Sequence, residues 1–170
     1  MRIIAGTLKG RRLDAPTWTG LRPTSDKLRE TLFNVLAPRM SGARVLDGYA
    51  GTGAVGIEAL SRGAAEVVFV DRDVRARRLV GANLARCGIA ACAIIRATFN
   101  ALGVFDIVLL DPPYDDSPEQ VLADSATLIA PSGVLVLEHA RRRAAPETAA
   151  GLRRTRQIRS GDSMLSFYDE

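Results

Sequence analysis

The amino-acid sequence predicts an α/β protein built on a mostly parallel sheet, with helices on both sides of the sheet. From residue 44 onward, short apolar runs alternate with helical patterns. The runs are rich in Val, Ile and Leu at successive positions, so both faces of each strand have to be covered. Near the end, two segments of alternating character, 152–160 and 163–170, flank Gly161 and Asp162 and predict an antiparallel hairpin.

The elements follow each other in a regular order. The strands before the hairpin are predicted at 44–48, 66–71, 92–96, 105–111 and 133–138. Helices are predicted over 54–63, 73–88 and 117–130. Typical end residues support these helices: Gly63 and Gly88 at C-caps, Asp73 at an N-cap, and Ser117 followed by Pro118.

The first 43 residues differ from the rest of the chain. The segment RIIAGTLKGRRLDAP, residues 2–16, has glycines spaced for a small β-hairpin. The segment RPTSDKLRETLFNVLAP predicts a helix that is capped by Thr24 or Ser25 and ends before Pro38. We therefore expect a small N-terminal arm made of a hairpin and a helix.

Charge is unevenly distributed along the chain, which has a formal net charge of +4. Residues 1–44 carry nine Lys or Arg against three acids, residues 45–140 seven against twelve, and residues 141–170 seven against four. A basic arm and a basic tail flank an acidic middle, as expected of a protein whose ends hold a polyanion. Solvated faces that keep the protein in solution would produce the same pattern.

Size and composition exclude several classes of protein. A chain of 170 residues with 47% hydrophobic content suits one ordinary core with short appendages. The first ten residues lack the apolar core of a secretory signal and no apolar run is long enough to span a membrane, so a cytoplasmic protein is expected. Cys87, Cys92 and His139 do not supply the ligands of a structural zinc site. We expect no metal, and we interpret both cysteines as small core residues.

A glycine-rich turn follows the first predicted strand. In VLDGYAGTGAVG, Gly51, Gly53 and Gly56 have the G-x-G-x-x-G spacing, which lets backbone and a helix N-terminus approach an adenosine-containing ligand. Asp71 ends the next strand, where a carboxylate can accept hydrogen bonds from both ribose hydroxyls. A cap at the strand end is the alternative role for Asp71.

Asp47 distinguishes between adenosine ligands. It lies at the strand end just before the glycines, where its negative charge would face the pyrophosphate of a nicotinamide dinucleotide. S-adenosylmethionine has a sulfonium group, an ammonium group and no phosphate, so charge complementarity favours it. A nicotinamide-dependent dehydrogenase is the less favoured alternative, and for Asp47 alone the alternative is a cap of the following helix.

The segment FDIVLLDPPYDD, residues 105–116, ends a buried strand in DPPY. Ligands of open parallel sheets bind beyond the carboxyl ends of the strands, so we expect Asp111 beside the glycine loop. The Asp111 carboxylate and the Pro112 carbonyl can accept hydrogen bonds from the exocyclic amine of a nucleobase, and the prolines offer no competing donor. Tyr114 can stack on a base, which is worth about 1–3 kcal/mol. A rigid turn is the structural alternative for this motif.

Four ordered segments, RIIAGTLKGRRL, LRPTSDKLRETLFNVL, VLDGYAGTGAVGIEALSRGA and LLDPPY, together resemble the RsmD family. Members of this family are bacterial methyltransferases of the guanine N2 at position 966 of 16S ribosomal RNA. The resemblance implies a seven-stranded, Rossmann-like class I methyltransferase fold and S-adenosylmethionine as donor. It also implies 16S ribosomal RNA, or the assembling 30S subunit, as partner.

The resemblance assigns residues to three sites. The catalytic residues are Asp111, Pro112, Pro113 and Tyr114. The cofactor-binding residues are Asp47, Tyr49, Gly51, Gly53, Asp71, Arg72, Thr98, Thr24 and Asp111. The RNA-binding residues are Arg2, Lys9, Arg11, Arg12, Arg22 and Arg29. Thr98 or Asn100 stands where the family usually has an acid that receives the adenine amine. Residues 1–43 are expected to contact RNA and residues 44–170 to form the catalytic domain.

Two further functions stay open at this point. An adenine-N6 methyltransferase of DNA or RNA would use the same DPPY chemistry, because that motif serves any exocyclic amine. A non-catalytic RNA-binding assembly factor could keep the fold, but it would have no use for acceptors beside a cofactor loop. A monomer is expected in each case.

Overall fold

The computed structural model describes residues 1–20 and 24–170 and divides into two compact units, Met1–Asn100 and Ala101–Glu170. Each unit combines helices with its own set of strands, which confirms the predicted α/β class. The described residues form eight strands, one more than the sequence predicts after residue 44. The additional strand is the two-residue segment Thr148–Ala149.

The first unit carries three parallel strands. Its elements are α1 (Asp26–Met40), β1 (Arg44–Gly48), α2 (Ala54–Ser61), β2 (Glu66–Val70), α3 (Val74–Cys87) and β3 (Ala93–Arg96). A short 3-10 turn, Ala90–Cys92, precedes β3. β2 lies between β1 and β3 and pairs in parallel with both. Apart from their first residues, β1 and β2 are buried throughout, as strands covered on both faces should be.

The helices start at the predicted capping residues, but two helix ends differ from the prediction. The helix predicted over 117–130 ends at Ser125, where a 3-10 turn, Ala126–Leu128, follows. Asp73 accepts a hydrogen bond from the Arg75 N–H at the start of α3, and Gly88 has φ = 71° at its end. At the start of α1 the N-cap is Ser25, which accepts from the Leu28 N–H. The prediction that α1 ends before Pro38 is wrong: the helix continues to Met40, whose buried side chain keeps the last turn packed.

The N-terminal arm is less regular than the predicted hairpin. Its strands reduce to one antiparallel bridge between Arg2 and Arg12. The first residues of the arm are instead held on α2 by polar side chains of that helix. The Glu58 carboxylate accepts from the N–H groups of Ile4 and Ala5 at 2.8 and 3.0 Å. The arm therefore packs on α2 through its backbone.

A glycine permits this close approach of the arm. Gly6 has φ = 81°, and a Cβ atom at this position would lie 1.8 Å from the Ser61 carbonyl oxygen. The Ser61 hydroxyl donates to the Ala5 carbonyl at 2.6 Å and accepts from the Leu8 N–H at 2.9 Å. Any larger residue than glycine would push the arm off this helix.

The second unit carries one parallel and three antiparallel strand pairs. Its elements are β4 (Phe105–Leu110), α4 (Pro118–Ser125), β5 (Ile129–Ala140), β6 (Thr148–Ala149), β7 (Leu152–Ser160) and β8 (Ser163–Asp169). Within this unit the strand order is β4-β5-β8-β7-β6. β4 and β5 are parallel, and β7 and β8 form the predicted antiparallel hairpin. Ser117 caps α4 as predicted, accepting from the Gln120 N–H.

The two cysteines differ in burial. Cys87 is buried, as predicted, but Cys92 is exposed, because it lies in the 3-10 turn before β3 rather than in a strand. Within residues 1–20 and 24–170, no helix combines the length and the apolar character that crossing a membrane requires.

Candidate active site

The loop after β1 is built on backbone conformations that favour glycine. Gly51 and Gly53 have φ of 55° and 77°, and Tyr49 has φ = 61°. At Gly56, in the first turn of α2, a Cβ atom would lie 2.3 Å from the Phe69 ring and 2.9 Å from Asp47 Oδ2. The three glycines of the motif thus have separate roles: the first two allow the turn, and the third lets α2 approach β2 closely.

Most of the loop amides are satisfied from within the first unit. The Gly51 N–H donates to Asp71 Oδ2 at 2.9 Å. The N–H groups of Ala50 and Gly53 donate to the carbonyls of Val70 and Ala50. A loop that binds a pyrophosphate directs such amides at its ligand. Because these amides already bond to groups of the protein, they are not directed at a pyrophosphate. This disfavours a dinucleotide ligand, in agreement with the charge argument for Asp47.

Asp47 is a buried carboxylate at the end of β1. Its side chain is 4% exposed, and Oδ2 accepts from the Gly56 N–H at 2.8 Å. The pKa of Asp47 is raised to about 7, mainly because burial desolvates the carboxylate and to a smaller extent because Asp71 is near, while the bond from Gly56 acts in the opposite direction. The bond from Gly56 shows that Asp47 plays the alternative role, a cap of the following helix. Its raised pKa means that the surroundings disfavour the negative charge, and the ammonium group of a ligand would stabilise that charge.

Asp71 organises the end of β2 in a similar way. Its Oδ1 accepts from the Asp73 N–H at 2.9 Å, while its Oδ2 holds Gly51. The alternative role, a cap at the strand end, is thus present. A carboxylate oxygen has two lone pairs, and the Asp71 side chain is partly exposed, so it can still accept from ribose hydroxyls.

The remaining residues assigned to the cofactor site in the first unit are more exposed. Tyr49 and Thr24 are partly exposed, and Arg72 and Thr98 are exposed. Phe99 was not predicted as a site residue, and its ring centroid lies 5.6 Å from that of Tyr49, with an angle of 58° between the ring planes. An aromatic residue three positions after β3 was the available signal. The pair forms an apolar surface next to the glycine loop.

The DPPY motif follows directly after β4 in the second unit. Asp111 is partly buried, Pro112 is buried and Pro113 is exposed. The Tyr114 hydroxyl lies 3.0 Å from the hydroxyl of Ser163, the first residue of β8. Arg143 Nη1 donates to the Asp115 carbonyl at 3.2 Å, just beyond the motif. The motif therefore forms a short, stiff loop that is held from outside by side chains.

A pocket of the second unit adjoins this loop. It is lined by Pro112, Pro113, Tyr114, Glu138, His139 and Arg143, among others. His139, for which the sequence provides no functional signal, is a buried lining residue with two hydrogen-bonded ring nitrogens. His139 Nδ1 lies 2.7 Å from the Arg143 carbonyl, and Nε2 lies 2.9 Å from the Ser166 hydroxyl. Because a carbonyl can only accept, these contacts assign the proton to Nδ1.

The residues assigned to RNA binding divide into exposed, buried and undescribed ones. Arg2, Lys9, Arg11 and Arg12 are exposed on the arm. Arg22 lies outside the described residues. Arg29 is fully buried, where Nη2 donates to the Arg2 carbonyl at 2.6 Å and to Asp26 at 3.0 Å. Arg29 therefore cannot contact a phosphate in this structure. Its predicted role in RNA binding is corrected to a structural one.

The sequence contained a signal for the burial of Arg29. It lies four residues before Phe33, on the apolar side of α1, and Phe33 is also fully buried. Phe33 is thus a core residue. Burial lowers the pKa of Arg29, and the charges of Glu58 and Asp26 oppose this shift. Within the arm, Arg29 thus joins α1 to the segment that carries Arg2.

Metal-binding side chains do not cluster in the part of the chain that the structure describes. No three His, Cys, Asp or Glu residues within residues 1–20 and 24–170 come together in a group that could hold an ion. The candidate site residues thus form two groups. The first unit carries the glycine loop with Asp47 and Asp71, and the second unit carries the acceptor loop with Tyr114.

The chain is similar to known proteins over almost its whole length. A family model described as conserved hypothetical protein 95 matches residues 1–169. The chain is 38% identical to the candidate rRNA methyltransferase YlbH of Bacillus subtilis, over 99% of this chain and 98% of that protein. It is 40% identical to the ribosomal RNA small subunit methyltransferase D of Escherichia coli, over 67% of this chain and 60% of that protein. The chain belongs to the RsmD family.

Solved structures agree with this family. The candidate methyltransferase YhhF of Escherichia coli superposes with a TM-score of 0.82 at 33% identity, covering 99% of this chain and 96% of that one. The fold of this RsmD-family chain is therefore that of the class I methyltransferases, as the resemblance implied.

Proposed function

We propose that this protein uses S-adenosylmethionine to methylate the exocyclic N2 amine of guanine 966 in 16S ribosomal RNA during assembly of the small subunit. The observation that carries the proposal is the Asp111–Tyr114 loop: it is rich in acceptors, lacks donors at both prolines and ends in a fixed aromatic ring. Membership of the RsmD family supports the RNA substrate.

The first unit fits the proposed cofactor. Asp47 is a buried carboxylate with a raised pKa, and a ligand ammonium would neutralise it. Asp71 offers lone pairs to ribose hydroxyls, and the ring surface of Tyr49 and Phe99 offers an apolar face to adenine. When bound, S-adenosylmethionine supplies an electrophilic methyl group on a sulfonium sulfur.

The second unit would prepare the base. The Asp111 carboxylate and the Pro112 carbonyl accept from the two N–H bonds of the guanine N2 amine, which orients the nitrogen lone pair. Tyr114 stacks on the extruded base. Transfer of the methyl group would form the C–N bond and break the methyl–sulfur bond, leaving S-adenosylhomocysteine, and Asp111 would accept the proton that the amine loses, so that the product nitrogen is neutral.

The arm, residues 1–43, would hold the RNA, while residues 44–170 form the catalytic domain. Arg2, Lys9, Arg11 and Arg12 are exposed cations within one short segment, which suits contacts with phosphates. Each such contact should add about 0.7–0.9 to the slope of log affinity against log salt concentration. This assignment no longer includes Arg29.

The proposal is tested by Asp111→Ala with Asp115→Ala as matched control. Asp115 is an exposed carboxylate four residues further along the chain. With labelled donor and either bare 16S RNA or partly assembled subunits, we expect Asp111→Ala to lower methyl transfer by about 10³-fold. Its affinity for S-adenosylhomocysteine should stay nearly normal, and Asp115→Ala should keep its activity.

The identity of the product tests the substrate. Digestion of the labelled RNA should yield N2-methylguanosine at position 966. Recovery of N6-methyladenosine instead would replace the guanine proposal with the adenine-N6 alternative. Undiminished turnover by Asp111→Ala would contradict the role of the DPPY loop, and absence of any adenosyl ligand binding would favour the non-catalytic RNA-binding factor.

A further inference from the structure

Asn83 lies where the arm and the cofactor loop meet within the first unit. Asn83 belongs to α3 and is fully buried, and no sequence motif predicts a role for it. Its Oδ1 accepts from the Asp14 N–H at 2.7 Å, and its Nδ2 donates to the Asp14 carbonyl at 3.2 Å. The same Nδ2 donates to the Thr52 carbonyl at 2.9 Å. One planar amide thus joins Asp14 of the arm to the glycine loop.

The bond to Thr52 controls the orientation of the loop. The Thr52 carbonyl and the Gly53 N–H belong to the same peptide unit, which is planar. Its oxygen is held by Asn83, and its N–H donates to the Ala50 carbonyl at 2.7 Å. Because both ends of this peptide unit are bonded, a displacement of Asn83 would rotate the centre of the loop.

The bonds to Asp14 place the other end of Asn83 on the arm. Two bonds to the backbone of one residue fix its position more strictly than a single bond does. The Asp14 carboxylate also pairs with Arg86 of α3 at 2.9 Å. Arg11 and Arg12, which are proposed to grip phosphates, precede Asp14 by three and two residues. RNA that restrains these arginines therefore restrains Asp14 as well.

We propose that Asn83 is a positioning residue that couples RNA binding at the arm to cofactor binding at the glycine loop. Each ligand orders one end of the connection, so the second ligand meets a loop or an arm that is already ordered. This inference rests on the proposed function, since it takes ribosomal RNA and S-adenosylmethionine as the two ligands. By linkage, each ligand must strengthen the other by the same factor.

The test measures this factor by calorimetry on the full chain. S-adenosylhomocysteine is titrated into the protein alone and into the protein saturated with a 16S RNA fragment that contains the target guanine. We expect the RNA to tighten S-adenosylhomocysteine binding by about fivefold or more in the wild type. In Asn83→Ala the factor should fall to about one, while both ligands still bind singly.

A matched control separates coupling from loss of stability. Val67→Ala removes buried volume near the start of β2, away from the glycine loop, and should lower the melting temperature while keeping the coupling factor. Full coupling in Asn83→Ala would overturn the proposal, and so would a factor of one in the wild type when both ligands bind. A wild type that binds no S-adenosylhomocysteine would instead overturn the proposed function.

Hydrogen exchange on the wild type keeps the proposal testable if Asn83→Ala does not fold. The Asp14 amide reports directly on its bond to Asn83. S-adenosylhomocysteine should slow exchange of this amide, and the RNA fragment should slow exchange of the Gly53 amide. Unchanged rates at both amides in the presence of the opposite ligand would overturn the coupling.

Discussion

The loops after β1 and β4 are built from opposite residues and held in opposite ways. The loop after β1 turns on glycines, and its N–H groups are bound by the Asp71 carboxylate and by carbonyls of its own unit, while Asp47 binds the first turn of α2. The loop after β4 turns on Pro112 and Pro113, which have no N–H, and side chains hold it from outside.

The difference follows from what each loop would offer its ligand. Under the proposed function, the glycine loop allows close approach of the cofactor and presents carboxylates to a cation, and its Gly51 amide fixes one of these carboxylates. Under the same proposal, the proline loop presents acceptors to an amine, and its prolines add no competing donors. Stiffness is obtained in the first case by packing and internal hydrogen bonds, and in the second by restricted φ angles.

The largest effect should come from adding a methyl group to Gly56, the third glycine of the motif, in the first turn of α2. In Gly56→Ala the new Cβ meets the buried Phe69 ring and Asp47, so we expect a loss of about 3 kcal/mol in the free energy of unfolding. Thermal unfolding should show a decrease of about 6–12 °C in the melting temperature. S-adenosylhomocysteine binding should be lost together with the position of Asp47.

Gly81→Ala is the matched control for this change. Gly81 lies within α3, and its nearest neighbour, Ile95 Cδ1, would be 3.8 Å from an added Cβ. There the same substitution should stabilise the protein by about 0.5–1 kcal/mol, because alanine favours the helix. Equal melting temperatures for the two variants would contradict the close-packing role of Gly56.

The second effect concerns the charge of Asp47. Burial raises the pKa of Asp47 from 3.8 to about 7. Between these two pH values, the carboxyl group is protonated in the folded protein and ionised in the unfolded chain. The stability of the ligand-free protein should therefore fall as pH rises towards about 7, by up to about 1.4 kcal/mol per pH unit. A cationic ligand favours the ionised carboxylate, so S-adenosylhomocysteine should bind about tenfold more weakly at pH 6 than at pH 8.

Calorimetry in two buffers of different ionisation enthalpy measures this effect, since binding at pH 6 should release a proton. Asp47→Asn is the control, and its binding should be weak and independent of pH between 6 and 8. A pH-dependent affinity that persists in Asp47→Asn would assign the titration to another group and weaken the fit to an ammonium.

The smallest effect should come from the outer support of the proline loop. Tyr114→Phe keeps the ring for stacking but removes the hydrogen bond to Ser163, which should cost about 0.5–1.5 kcal/mol. Methyl transfer should fall by less than tenfold. In a double-mutant cycle with Ser163→Ala, the combined variant should behave like either single variant; strictly additive losses would show that the two hydroxyls do not act together.

Much of the fold is local and could be predicted. The strands, the caps Asp73, Gly88 and Ser117, and the C-terminal hairpin are encoded by periodicity and turn residues over a few positions. The motif glycines and the DPPY loop could be predicted for the same reason. The errors occurred where packing outweighs local preference, as in α1, which continues through Pro38 because Met40 is buried.

The contacts that set the chemistry of the site are of another kind. Glu58 holds Ile4 from 54 residues away, and Asn83 holds Asp14 from 69 residues away. Such pairings depend on how helices and arm pack, and no spacing within the sequence encodes them. The burial of Arg29 and the raised pKa of Asp47 likewise follow from the low-dielectric surroundings that packing creates.

The amino-acid sequence by itself determined the alternation of strands and helices, the turn residues, and the kinds of group at the two loops. Only the tertiary structure decided which basic residues remain accessible, that Asp47 lies in a site that disfavours its charge, and that one amide joins the arm to the glycine loop. The reason is physical: a residue's type and local spacing set what it can bond to, whereas burial and long-range packing set what it meets.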